Sequence, residues 1–276
     1  MNSHKNAQMS FKFFIGILLG VLGIMTFFPF LWMIFSSFKT NAEINQIVPS
    51  LFPKDATFNN FKELFIRLNF GIYLKNTLII TACSFVGLLL NAMAGYGFAK
   101  FDFKGKNGLF LMVLATMMIP GQVTMIPVYL LLNSVGLTNT LIGIVLPGLA
   151  GAFGIFLFRQ FMNTISNEML EAARLDGASE WYIFFKIILP VSRPILAVQG
   201  ILTFIGGWNS FLWPLIIAND EKYYTLSVGL QLLQGQHGNN YALQMAGATF
   251  MVIPILIVFS IFQKYILQGF NVSGIK

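Results

Sequence analysis

The chain has 276 residues, of which 56% are hydrophobic and only 10% are charged. Soluble domains carry about 25% charged and 45–50% apolar residues, so a water-soluble enzyme and a disordered chain are both excluded. The net charge of +7 finds its natural place on the cytoplasmic side of a bilayer, because no clustered basic face that would bind nucleic acid is present. Cys83 is the single cysteine, which excludes an internal disulfide framework and a Cys-based metal site. His4 and His237 are far apart in the sequence and do not suggest a metal cluster.

A helix needs about 20 mostly apolar residues to cross the hydrocarbon core. Six stretches qualify, near residues 13–35, 75–98, 109–132, 139–158, 195–217 and 243–263. The first follows Lys5 and Lys12 as a signal peptide would, but it is longer than a signal core and no small-residue cleavage site follows, so it reads as a retained span. With both ends inside, the cytoplasmic segments hold 11 Lys and Arg residues and the outer ones 6. The bias is sharpest in the short loop Lys100–Lys106. The long first outer loop, about residues 36–74, is mixed in charge.

The apolar cores hold no ionisable side chain, with Lys75 at the edge of the second. Ion-coupled carriers usually keep such groups inside the membrane despite their cost, and no phosphate-binding G-x-x-x-x-G-K-[ST] loop is present. Any uphill transport must therefore draw energy from another chain. The polar groups within the spans are neutral: Asn91, Gln122, Gln199, Thr203, Asn209, Ser210, Gln244 and Thr249. Proline and glycine interrupt several spans, at Pro120-Gly121 and Pro127, at Pro147, at Gly206-Gly207 with Pro214, and at Pro254. Broken helices persist at membrane depth where the freed backbone faces protein or water. A polar path and close helix packing both meet that condition.

Residues 159–194 form the long polar stretch on the cytoplasmic side. Ser166 is placed to cap a short helix with Glu168 in its first turn. Leu170, Ala172 and Ala173 make its apolar side, and Gly177 ends it as a left-handed cap. Such a helix is too short to hold alone and needs a partner surface. A second helix starts at Ser179; Trp181, Phe184, Phe185 and Ile188 form one apolar stripe, and Lys186 and Pro190 close it. Docking to a partner and an ordinary structured loop are both compatible with these residues.

The run EAARLDGAS at residues 171–179, followed by Ile187–Pro190 and Pro194, resembles the EAA motif of bacterial ABC importer permeases. The Asp176-Gly177-Ala178 form is similar to the binding-protein-dependent carbohydrate (maltose/multiple-sugar) branch, in particular its smaller permease subunit. Residues 118–127 (MIPGQVTMIP), 204–214 (FIGGWNSFLWP) and 262–276 agree with that branch. Ser166 stands where the family commonly has proline, and serine serves as a cap equally well.

The resemblance implies an all-α integral membrane fold of six transmembrane helices with a cytoplasmic coupling-helix loop, the type I ABC importer permease. It divides the chain into an N-terminal region (1–70), a permease core (71–265) and a cytoplasmic tail (266–276). It implies a non-catalytic subunit in the bacterial cell membrane, both termini cytoplasmic, paired with a second related permease. Two ATP-binding subunits would carry ATP and magnesium, with no cofactor on this chain, and an extracellular or periplasmic solute-binding protein would deliver a sugar or oligosaccharide. A glycerol phosphate compound is the alternative solute. Carried over by residue, Glu171, Ala172, Ala173, Asp176 and Gly177 form the ATPase-docking element. Trp208 and Asn209 are candidates for the translocation path, and Gly235, Gln236, His237 and Gly238 for contact with the binding protein. The tail, Gln268–Lys276, is placed by the family against the ATPase pair.

Overall fold

A computed structural model describes residues 2–67, 69–236 and 240–272, and among these every regular element is helical. Five helices are long and apolar enough to cross a membrane: Phe11–Ser37, Phe70–Lys100, Leu141–Asn163, Arg193–Ile217 and Tyr241–Lys264. They coincide with the first, second, fourth, fifth and sixth expected spans. The third departs from expectation. Lys106–Met117 and Gly121–Ser134 meet at a bend of 103° rather than forming one straight rod. The cause lies at Pro120, which sits in an extended conformation (φ −58°, ψ 130°) ahead of the second half. A residue preceding proline is disfavoured in helix, and proline itself offers no N–H to carry the ladder on. Pro127, about two turns further into the second half, is tolerated there.

The chain forms two compact units, residues 1–69 with 232–252 and residues 70–231 with 253–276. In the first unit the opening span is apolar and, over residues 11–31, almost wholly exposed, with Phe13 at 71% and Ile24 at 71%. In lipid that surface is solvated, so nothing drives its burial. The outer loop after this span is not irregular. Asn60 donates from Nδ2 to the carbonyls of Ser37 and Lys39, both at 2.8 Å. The Glu43 carboxylate accepts from Ser50 Oγ at 2.8 Å and from the Lys54 N–H at 2.9 Å. Lys39 is buried, donates to the Ser50 carbonyl and lies 4.5 Å from the Trp32 ring centroid; burial lowers its pKa, against the raising pull of Glu43.

The second unit is organised around the Phe70–Lys100 helix, which packs on the fourth and fifth spans. Glycine sets the approach. A Cβ at Gly95 would lie 2.5 Å from Phe158 Cβ, and one at Gly207 would lie 2.9 Å from Thr81 Cα. Small residues that admit a neighbouring backbone are the usual device for joining helices where lipid removes the hydrophobic drive. At the outer end, Asn76 Nδ2 donates to the carbonyls of Lys222 (2.8 Å) and Tyr224 (2.9 Å), and Thr77 Oγ1 accepts from the Leu226 N–H at 2.9 Å. The outer segment 218–242, expected as a polar loop, carries a helix at Leu226–Gln236.

Candidate functional site

Two places gather polar side chains in the second unit. The first is the cytoplasmic loop. The fourth-span helix runs on to Asn163, so the loop begins five residues later than the sequence pattern suggests. Ser166 then caps Asn167–Leu175, its Oγ accepting from the Glu168 N–H at 3.2 Å. Gly177 follows at φ +82°, the left-handed conformation that glycine adopts without a Cβ clash. Ser179 caps the next helix through the Tyr182 N–H at 3.2 Å.

That second helix differs from the expected stripe. Residues Ile183–Ile188 are π-helical, which shifts the phase by about one residue per turn. Ile183, Phe184 and Ile188 are therefore buried together, whereas Trp181 and Phe185 are exposed and stack on each other at 6.1 Å. Lys186 and Pro190 do not close the helix, because Leu189–Val191 continues it to Ser192. The buried trio joins Ala92, Tyr96, Phe158, Met162 and Leu170 in one apolar cluster.

Both ends of the Asn167–Leu175 helix are tied to the second span. At its start, Lys100 Nζ donates to Asn167 Oδ1 at 2.8 Å and to the Ile165 carbonyl. At its far end, Arg174 Nε meets Glu180 Oε1 at 2.7 Å, and Tyr96 Oη donates to Glu180 Oε2 at 2.9 Å. Tyr96 and Lys100 are one turn apart on one helix face. The Arg174 hydrogen bond, ahead of the opposing cost of burial, holds the Glu180 carboxyl below its ordinary range. Glu171, Ala172, Asp176 and Gly177 are exposed and Ala173 is half-buried. Leu175 is 89% exposed beside them. Tyr96, Lys100 and Glu180 were not singled out from the sequence; the only signal was the i, i+4 pairing of Tyr96 and Lys100 at the inner end of a span.

The second place is a cavity of about 450 Å³ within the second unit, where three interrupted helices converge. Gly121 comes from the 103° bend, Pro147 and Gly148 from a 3₁₀ turn, and Gly206, Gly207 and Ser210 from the break in the fifth span. Ser84, Asn91, Thr124 and Thr203 complete its polar lining, with Trp213 in the wall. Asn91 Oδ1 accepts from the Gly151 N–H at 2.9 Å, which fixes the carboxamide. Trp213 Nε1 donates to the Gly143 carbonyl at 3.2 Å.

Trp208 lies outside this lining: its side chain is buried and stacks on Phe204 at 5.8 Å. Asn209 is exposed and ends the Arg193–Trp208 helix, its N–H bonded to the Ile205 carbonyl at 3.0 Å. Gly235 is exposed near the end of the Leu226–Gln236 helix, which Gln236 closes. His237 and Gly238 lie outside the described residues, as does the tail beyond Val272.

Interrupted spans around a neutral cavity, together with a capped helix whose outer face is exposed, point to a multi-pass membrane transport subunit. Residues 87–272 match the family of binding-protein-dependent transport system inner membrane components, and the chain belongs to that family. It is 37% identical over 262 residues to the arabinooligosaccharide transport permease AraQ of Halalkalibacterium halodurans, covering 92% of this chain and 93% of that protein. It is 34% identical to the lactose transport permease LacG of Rhizobium radiobacter, covering 91% and 92%. Among solved structures it resembles a bacterial ABC transporter involved in import of the acidic polysaccharide alginate, with a TM-score of 0.83 at 25% identity, covering 94% of this chain and 98% of that one. The type I importer permease architecture expected from the EAA motif is thus the observed one.

Proposed function

We propose that the chain is one of two permease subunits of an ATP-driven importer that takes a sugar or oligosaccharide from an extracellular binding protein. Its non-catalytic role is to form half of the path and to couple it to two ATP-hydrolysing subunits, which hold the nucleotide and magnesium. Both termini then lie in the cytoplasm, in keeping with the 11 to 6 division of Lys and Arg. The observation that carries this reading is the Asn167–Leu175 helix, short, capped at both ends and anchored to a span while its outer face stays exposed. The sugar class rests on relatives such as AraQ and LacG.

On that face Glu171 is positioned for a basic group of the ATPase, Ala172 and Ala173 for close backbone approach, and Leu175 for an apolar recess. A mild-detergent pull-down of the tagged chain from its own host, analysed by mass spectrometry, tests the reading. A second six-span permease and a P-loop ATPase are expected, with the ATPase lost from Gly177→Asp. Purification of the chain alone, or as a homodimer without an ATPase, overturns it. ATP-driven uptake of a phosphorylated glycerol compound in place of any sugar would overturn the substrate class alone.

A further inference from the structure

We propose that an apolar crevice between the second, fifth and sixth spans holds one acyl chain of an anionic phospholipid, whose phosphate is received by Arg193. The cytoplasmic leaflet as its source rests on the orientation proposed above, which places Arg193 at the inner end of the fifth span.

The crevice has a volume of about 390 Å³ and lies wholly within the second unit. Ten residues line it, and Arg193 is the only one of them with a polar side chain. The fifth span sets its shape. Arg193, Ala197, Gly200 and Phe204 recur at intervals of three and four residues and so form one stripe along the helix. From Arg193 to Phe204 that stripe is about 16 Å long, at about 1.5 Å per residue. One leaflet is of similar depth, about half of a 30 Å hydrocarbon core. Spread over that length, the volume leaves a width of roughly 5–6 Å, enough for one hydrocarbon chain and too little for a helix about 10 Å across.

Gly200 keeps the groove open. At Gly95 and Gly207 the missing side chain admits a neighbouring helix, but a Cβ at Gly200 would meet only Phe85 Cε1, at 3.9 Å. Glycine weakens a helix relative to alanine, so what it contributes here is open space rather than closer packing.

Charge at one end selects the occupant. Arg193 is exposed and has no acceptor among the described residues. It opens the Arg193–Trp208 helix, whose first turn carries no acidic side chain, and the helix dipole there disfavours a cation and favours an anion. Apolar walls beneath a guanidinium match a molecule with a long chain and an anionic head, and the cytoplasmic leaflet supplies such lipids. The planar guanidinium presents paired donors that suit a phosphate. Leu88 lines both this crevice and the neutral cavity, so a bound chain supports the cavity wall from behind.

The test uses the complete importer, purified from its host with its partner subunits and placed in nanodiscs of phosphatidylcholine. Two photoactivatable lipids are added in turn, a phosphatidylglycerol and a phosphatidylcholine, each with a diazirine at the end of one acyl chain. Labelled peptides are then mapped by mass spectrometry. Labelling of the peptides that contain Phe85 and Phe204 is expected, with phosphatidylglycerol preferred about fivefold, the order that one arginine provides at an anionic surface. Arg193→Gln should abolish that preference while both probes still label. Gly200→Leu, which fills the groove, should remove labelling by both. Copurification of the second permease and the ATPase reports assembly; where Gly200→Leu does not assemble, Ala197→Leu fills the groove from the neighbouring position. No labelling of these peptides in the wild type, as when the second permease covers the crevice, overturns the proposal. Equal labelling by the two probes, or a preference that survives Arg193→Gln, overturns the anionic selectivity. Purification without an ATPase would overturn the importer function and leave the crevice readable, because labelling requires neither ATP nor sugar.

Discussion

The cytoplasmic loop and the membrane cavity use hydrogen bonds in opposite ways. Around the Asn167–Leu175 helix the polar groups are satisfied within the chain: Lys100, Tyr96, Arg174 and Glu180 bind one another or nearby backbone and fasten the helix at both ends. In the cavity the amide nitrogen of Asn91 and the hydroxyls of Thr203 and Ser210 are unmatched by the described protein. A part that transmits force must be stiff, so its polar groups are used internally. A part that handles a passing solute must leave them available. The second span reaches both places, carrying Tyr96 and Lys100 at one end and Asn91 and Ser84 further along.

The comparison breaks most completely at Gly177. Substitution by Asp adds a side chain at φ +82°, a conformation L-residues rarely adopt, on the face proposed to meet the ATPase. Near-complete loss of ATP-driven uptake with normal membrane insertion is expected, measured by transport in membrane vesicles and by immunoblot of the membrane fraction. Retained uptake would argue that this face is not the coupling element. Ala173→Asp should behave likewise.

A smaller, partial effect is expected from loosening the fastening rather than the face. Tyr96→Phe removes the bond to Glu180 Oε2 with almost no change of shape, a loss of about 1 kcal/mol. Uptake per ATP hydrolysed should fall several-fold while the ATPase stays bound, a separation that parallel transport and phosphate-release assays can measure. Glu180→Gln should reproduce it, since the amide no longer pairs with the Arg174 guanidinium.

The pH dependence sharpens the same point. Glu180 has its pKa lowered, first by the Arg174 hydrogen bond. A depressed carboxylate contributes stability that is fully present above the ordinary carboxylate value and is lost as pH falls through the lower folded value. Hydrogen exchange over residues 167–182 should therefore stay slow as pH drops through the usual carboxylate range and quicken only below it. In Glu180→Gln that acid limb should vanish.

The smallest change is expected at the start of the helix. Ser166→Ala removes the side-chain acceptor of the Glu168 N–H and should cost about 1 kcal/mol. Because Lys100 still fastens the same end, faster exchange in the first turn is expected, with uptake close to wild type.

Much of the loop was legible in the sequence. Ser166, Gly177 and Ser179 act through their own backbone neighbours, so the caps and the turn follow from residue type and spacing. The apolar stripe after Ser179 was not, because the π-helical run at Ile183–Ile188 changes which residues align. That choice is made by packing against Ala92, Phe158 and Leu170, remote in the chain. Similarly, Pro120-Gly121 marked an interruption but not a bend of 103°. Trp208 and Asn209 drew notice by chemistry, yet the residues around the cavity are their neighbours Thr203, Gly206, Gly207 and Ser210.

The sequence by itself determined the membrane setting, the place of five of the six expected spans, the capped helix and, through the EAA run, the family, because all of these depend on composition or on contacts a few residues apart. Only the tertiary structure decided that Tyr96, Lys100 and Glu180 bind the coupling helix to a span, and that Ser84, Asn91, Thr203 and Ser210 face one space. Those pairings join residues from 67 to 84 positions apart in the loop and across three broken helices in the cavity, and such distances close only when close-approach glycines such as Gly95 and Gly207 let the helices meet.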